Sequence, residues 1–191
     1  MSKREKRIFI AVNLPEELKD KIEKILEEIR YQFSNDVRFI ERENWHITLS
    51  FLGSQGDEAI GEVVGAMDAV AARFSPPKIE FTDLGYGPVG KSPRMIWLNC
   101  SVATAKELQP IKDQLENNEL IDRNIKFKRE YRQLRVHVTL ARFESGDDLP
   151  DIQRSFTFRF AADSIDLMES QLGPAGVQYE LLQKIKFRHN I

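Results

Sequence analysis

Cysteine, long apolar runs and an excess of charge of either sign are all scarce in this 191-residue chain. The single cysteine, Cys100, cannot form an intrachain disulfide, which is consistent with a reducing, cytoplasmic environment. No segment approaches the roughly 20 consecutive apolar residues that a membrane-spanning helix needs, so we expect no membrane partner. The formal net charge of −2 argues against binding nucleic acid over the whole surface.

The composition itself is that of an ordinary globular protein, with 41% apolar and 30% charged residues. No linker, low-complexity tract or charge block marks a boundary, and the length allows either one substantial core or two small lobes that share one. We therefore expect residues 1–191 to form a single compact domain, and we expect a monomer.

Hydrophobic periodicity predicts an α+β fold with two related halves. The order strand, helix, strand occurs twice: Arg7–Asn13, Pro15–Tyr31 and Trp45–Leu52, then Arg94–Val102, Ala103–Asn118 and Val136–Phe143. Further strands are expected at Lys78–Leu84 and in the last forty residues, with a helix before Pro76 and exposed His189 at the end. Two unrelated α+β segments could also share this order.

The third strand of each set carries the same short motif, His46-Ile47-Thr48 and His137-Val138-Thr139. Side chains alternate along a strand, so histidine and threonine share one face and the aliphatic residues the other. A single such motif is typical of a structural histidine, but two copies among only three histidines favour a shared site.

If the two strands meet, they combine two imidazoles and two hydroxyls. A neutral imidazole can take a proton, an imidazolium can give one, and hydroxyls can hold phosphoryl oxygens. The sequence thus predicts phosphodiester cleavage without a metal or other cofactor. A zinc site is the rival reading of paired histidines, but a catalytic zinc usually takes three protein ligands, and neither Cys100 nor His189 has a spacing that completes a set.

Arg142 is a candidate phosphate ligand, although strict alternation from His137 points it to the opposite face. It can reach the site only through a bulge or a strand end, and a surface role is the alternative. Phe51 has the same parity relative to His46, and we expect it in the core.

A basic stretch precedes the second motif, with seven cations and one acid between Arg123 and Arg142. Cations interleaved with aromatic rings suit a phosphate backbone and stacked bases, although a solvated loop is an equally good reading. The candidate RNA-binding residues are Lys126, Lys128, Arg129, Tyr131 and Arg132.

On these residues the chain resembles the two-histidine phosphoesterases, and within them the RNA 2′,3′-cyclic phosphodiesterases historically called 2′-5′ RNA ligases. The resemblance rests on an ordered set of segments: Arg7-Ile8-Phe9-Ile10-Ala11-Val12 with Leu14-Pro15, Asn44-Trp45-His46-Ile47-Thr48-Leu49 with Phe51-Leu52-Gly53, His137-Val138-Thr139-Leu140-Ala141-Arg142, and Leu167-Met168-Glu169-Ser170 with Leu172, Gly176 and Tyr179. It departs from the family's common pattern where Arg135-Val136, rather than a proline, precedes His137.

The resemblance implies a bilobal α+β fold whose two pseudo-symmetric lobes line a central cleft with antiparallel sheets, with helices outside and no cofactor. It implies that His46 and His137 are catalytic, with His46 interpreted as the acid and His137 as the base. Thr48, Thr139 and Arg142 would contact phosphate. The implied reaction hydrolyses a 2′,3′-cyclic phosphate on an RNA end, or a cyclic nucleotide, to a 2′-phosphate. The alternatives are the reverse reaction, a 2′-5′ RNA ligase, and a non-catalytic RNA-binding adaptor.

Overall fold

The structure is a computed structural model that describes residues 5–33, 36–144, 149–173 and 176–188. The expected exposed His189 and the tip of the last hairpin, at 174–175, lie outside these residues. No helix of the described ranges is long and apolar enough to cross a membrane.

The described residues form nine strands and three main helices, as expected of an α+β protein. The strands are β1 (Lys6–Asn13), β2 (Arg38–Phe39), β3 (His46–Gln55), β4 (Lys78–Gly87), β5 (Met95–Cys100), β6 (His137–Arg142), β7 (Arg154–Ala161), β8 (Ser164–Gly173) and β9 (Gly176–Lys186). The helices are α1 (Glu16–Arg30), α2 (Asp57–Arg73) and α3 (Val102–Gln114), the last continued by a π-helical segment at Leu115–Glu119 and a helical turn at Leu120–Asp122.

The helix predictions are confirmed to within a few residues, because each helix buries an apolar stripe. In α1 the stripe consists of Leu18, Ile22, Leu26 and Ile29, all in the main core. Two strand borders differ more. Strand β3 runs to Gln55 and β4 runs to Gly87, so each strand extends three residues beyond its predicted end at Leu52 or Leu84.

All nine strands belong to one curled antiparallel sheet in which the two halves meet at the centre. The order is β7-β4-β5-β6-β3-β1-β8-β9, with short β2 paired to β6. The first four strands of this order form one half and the last four the other. The expected bilobal α+β architecture is confirmed, while one domain over residues 1–191 remains a proposal, which the continuous sheet supports.

The main core lies between the helices and one face of the sheet. Ile47 of β3 and Val138 of β6 are fully buried there, as is the indole of Trp45. Helix α2 packs on β8 and β9, and α3 packs on β4. The other face of the sheet is therefore the one left for polar side chains, and the two histidine motifs lie on it.

Candidate active site

The two histidine motifs meet where the halves join. Ile47 of β3 lies directly opposite Val138 of β6 in an antiparallel pair. Their neighbours then oppose each other crosswise, so His46 faces Thr139 and Thr48 faces His137. These four side chains share the face turned away from the core, which we call the motif face. Diagonal positions in such a pair are about 7–8 Å apart, which leaves room for a phosphate between the two imidazoles.

Each imidazole is oriented by a backbone carbonyl two residues earlier. Nδ1 of His46 lies 2.8 Å from the Asn44 oxygen, and Nδ1 of His137 lies 2.9 Å from the Arg135 oxygen. A carbonyl can only accept, so Nδ1 carries the hydrogen in both neutral rings. Nε2 is thus the nitrogen left for chemistry, and in His46 it accepts a hydrogen bond from the Thr48 hydroxyl at 3.1 Å.

Burial lowers the pKa of His46 from 6.5 to about 4, against the opposing effect of its hydrogen bond to Asn44. The positive charges of His137 and Arg142 contribute to this lowering. Burial also lowers the pKa of His137, and the guanidinium groups of Arg135, Arg142 and Arg132 add to this effect. Both rings are therefore neutral in the free protein at pH 7, and an anionic ligand would favour their protonation.

Arg142 reaches the motif face because β6 contains a bulge. Ile96 of β5 opposes Ala141 while Trp97 opposes Thr139, so Leu140 has no partner on β5. Leu140 and Ala141 are both buried in consequence, and Arg142 is exposed. The bulge shifts the alternation of side chains by one residue, so Arg142 lies on the same face as His137. This is the bulge that the sequence required for Arg142 to reach the site.

The prediction that Phe51 belongs to the core is wrong, for the same physical reason. Strand β3 has a bulge at the equivalent place, where Ile10 opposes Ser50 and Ala11 opposes Thr48. Phe51 is 62% exposed, and its ring lies 5.8 Å from Phe9, which itself contacts His46. The two motif strands have the same burial pattern, so Phe51 and Arg142 occupy equivalent positions.

Sequence reasoning missed a pair of asparagines that flank the histidines. Asn13 lies opposite His46, and Asn99 lies opposite His137. Each amide donates a 2.7 Å hydrogen bond to an aspartate of the next strand: Asn13 to Asp166, and Asn99 to Asp83. Carboxylates only accept hydrogen bonds, so these contacts fix the amide orientation. The repeated strand-helix-strand pattern could have located the asparagines, because each precedes its helix.

The basic stretch 126–132 is an irregular segment, and Arg132 within it lies close enough to His137 to lower its pKa. Lys126 and Lys128 are both exposed, and the Tyr131 ring is 85% exposed with the Arg129 guanidinium 5.1 Å above it. Arg129 also contacts Asn117, and Arg132 pairs with Glu130 at 3.0 Å. Part of the positive charge is therefore already engaged within the protein.

No group of three or more His, Cys, Asp or Glu side chains within the described ranges could hold a metal ion. Cys100 is half-buried in β5.

Comparison with known proteins shows which family the chain is similar to. A family model described as LigT-like phosphoesterase matches residues 12–97, which include the first motif. An RNA 2′,3′-cyclic phosphodiesterase of Methanocaldococcus jannaschii is 27% identical over 93% of this chain and 99% of its own length. The chain is similar to the LigT-like phosphoesterases. A second RNA 2′,3′-cyclic phosphodiesterase, from Thermotoga maritima, is 28% identical over 95% of both chains.

Solved structures show that the chain shares its fold with known proteins. The protein TT0787 of Thermus thermophilus superimposes with a TM-score of 0.77 and E. coli LigT, in complex with 3′-AMP, with 0.75. Each is 22% identical in sequence, covering 97% of this chain and 100% of the other. The predicted fold is confirmed, the comparisons support the predicted family, and the predicted roles of individual residues stay predictions.

Proposed function

We propose that this protein is an RNA 2′,3′-cyclic phosphodiesterase that hydrolyses terminal cyclic phosphates to 2′-phosphate ends. The observation that carries the proposal is the diagonal arrangement of two His-Thr pairs across β3 and β6, with Arg142 on the same face. The names of the full-length relatives support the substrate class, and E. coli LigT binds 3′-AMP.

The reaction divides between the two imidazoles. The base histidine takes a proton through Nε2 from a water whose oxygen attacks phosphorus. The bond from phosphorus to the ribose 3′ oxygen breaks, and the acid histidine gives that oxygen a proton. The products are a 2′-phosphomonoester and a 3′-hydroxyl, and one proton passes through solvent to restore both rings.

The remaining polar groups of the motif face hold the phosphate. Thr48 and Thr139 donate hydroxyl hydrogen bonds to the nonbridging oxygens, and Arg142 supplies a charge-assisted contact. In the free protein the Thr48 hydroxyl is engaged by His46 at 3.1 Å, so a bound phosphate exchanges one acceptor for another. The residues that we propose act through hydrogen bonds and charge alone, without a cofactor.

The test uses an oligoribonucleotide that ends in a 2′,3′-cyclic phosphate, with protein kept in excess chelator. We expect conversion to a 2′-phosphate end, and the His46→Ala/His137→Ala double variant, purified in the same way, measures contaminating activity. A 3′-phosphate product, or equal conversion by the double variant, would contradict the proposal. A second reaction containing a 5′-hydroxyl acceptor distinguishes hydrolysis from 2′-5′ ligation, and binding without turnover would indicate an adaptor.

A further inference from the structure

Among the described residues, the shortest distance between an aromatic ring and either histidine ring is that from Trp97 to His137. It lies on β5 opposite Thr139, is 5% exposed, and stacks on the imidazole with 3.9 Å between ring centroids and 26° between planes. A near-parallel indole face at this distance attracts a cation more strongly than a neutral ring, because the face of the π system is negative.

A glycine makes the indole position possible. A Cβ atom at Gly87 of β4 would come within 2.3 Å of the Trp97 ring, well inside any tolerable contact. The indole nitrogen is buried and has no hydrogen-bond partner among the described residues. The position of this ring is therefore set by its packing between Gly87 and His137, not by a polar contact of its own.

The other half has nothing equivalent among the described residues. Ala11 takes the place of Trp97 there, opposite Thr48. The His46 ring meets Phe9 at an interplanar angle of 37° and 4.8 Å, and it meets Tyr179 perpendicularly at 5.0 Å. Neither neighbour is stacked face to face with His46 at the distance of the indole from His137, so these rings favour an imidazolium less than the stacked indole does.

The groups around His137 are mostly cationic and oppose its protonation, so a contact that favours the imidazolium counteracts their effect on its pKa. Arg135 and Arg142 on its own segment, Arg132 of the preceding loop and His46 across the strand pair all lie near it, and each opposes protonation when charged. On the β4–β5 side, the Asp83 carboxylate is already hydrogen-bonded to Asn99 and Thr82. The indole face favours the imidazolium without adding a charge, as does the hydrogen bond from His137 Nδ1 to the Arg135 carbonyl.

We propose that Trp97, seated against Gly87, is a positioning residue that stabilises the imidazolium of His137, whether that ring begins or ends its step protonated. The proposal rests on the phosphodiesterase function. The indole touches neither substrate nor water and acts only through His137.

The test is an NMR titration of the histidine Cε1–Hε1 signals, because it reads the protonation of each ring without requiring turnover. The His137 signal is identified by its loss in His137→Gln. The variants are Trp97→Leu, Trp97→Phe and Gly87→Ala, and Gly61→Ala is the matched control, since a Cβ there has nothing within 4 Å. Circular dichroism confirms that each variant is folded.

We expect the acid dissociation constant of His137 to rise about three- to tenfold in Trp97→Leu and in Gly87→Ala, and less in Trp97→Phe, which keeps an aromatic face. The limb of the kcat/KM profile that reports His137 should move to lower pH by the same factor. An unchanged His137 titration in both Trp97→Leu and Gly87→Ala overturns the proposal. If wild-type protein fails to hydrolyse cyclic phosphates while the titration still responds, the stack stabilises the imidazolium but its role in catalysis falls with the phosphodiesterase.

Discussion

The two halves of the molecule share a backbone plan but surround their histidines with different side chains. In both, a carbonyl two residues back orients the ring, an asparagine anchored to an aspartate lies opposite it, and a bulge follows the motif. Two of the positions that differ are Ala11 against Trp97 and Phe51 against Arg142. The common plan brings two imidazoles to one place, and we propose that the differences set how readily each of them holds a proton.

The largest expected effect comes from the two histidines, which the halves have in common. His46→Ala and His137→Ala should each lower kcat about 10²- to 10⁴-fold on a cyclic-phosphate end, because each removes one proton-transfer step. The double variant should be little worse than the single ones, since the two groups act in one step. Single-turnover assays measure these rates. A single variant with near wild-type turnover would show that its histidine is not needed and that the two halves are not equivalent in catalysis.

The next largest effect is expected at Arg142, whose equivalent in the other half is the uncharged Phe51. Arg142→Gln should lower kcat/KM about 10- to 100-fold, because a charge-assisted contact to phosphate is lost. Arg154→Gln, at an exposed position on the edge strand β7, is the control and should change little. Phe51→Leu should lower kcat/KM for a cyclic mononucleotide less than Arg142→Gln does. If the two losses are equal, the charge of Arg142 is not what distinguishes the two halves at the phosphate.

The pH dependence tests the environments of the two rings together. Catalysis needs one ring protonated and the other neutral, so kcat/KM falls below the lower pKa and above the higher one. Burial lowers the pKa of both histidines from 6.5, and that of His46 to about 4. We therefore expect the kcat/KM maximum of the free protein below pH 6.5. A maximum at or above about pH 7, with the protein folded throughout by circular dichroism, would show that the rings are not desolvated as described.

The smallest expected effect lies outside the common plan, in the basic stretch of the second half. Lys126→Ala/Lys128→Ala should weaken binding of RNA oligomers by a few-fold and leave a cyclic mononucleotide unaffected, because cations of this loop contact only the longer backbone. The oligomer affinity should also depend less on salt in this variant. Lys184→Ala, on the far edge strand β9, serves as the control. Equal losses for both substrates would contradict a groove at this loop.

The sequence predicted the parts of this site that follow from local pattern. Alternation placed His46 with Thr48 and Ile47 in the core, and the apolar stripe of α1 located that helix. It did not predict the bulges after each motif, since Leu49-Ser50 and Leu140-Ala141 carry no turn residue that marks them. Phe51 was misplaced for that reason. The Trp97–Gly87 contact joins two strands through tertiary packing, which no periodicity reveals.

Titration of the protein with inorganic phosphate, followed by the histidine ring signals in NMR, tests most directly whether both imidazoles serve one phosphorus. We predict that the signals of His46 and His137 move together, with a single Kd and a stoichiometry of one phosphate per chain. Both rings should also become easier to protonate once the anion is bound. A response from only one of the two rings, or two different Kd values, would contradict a shared site.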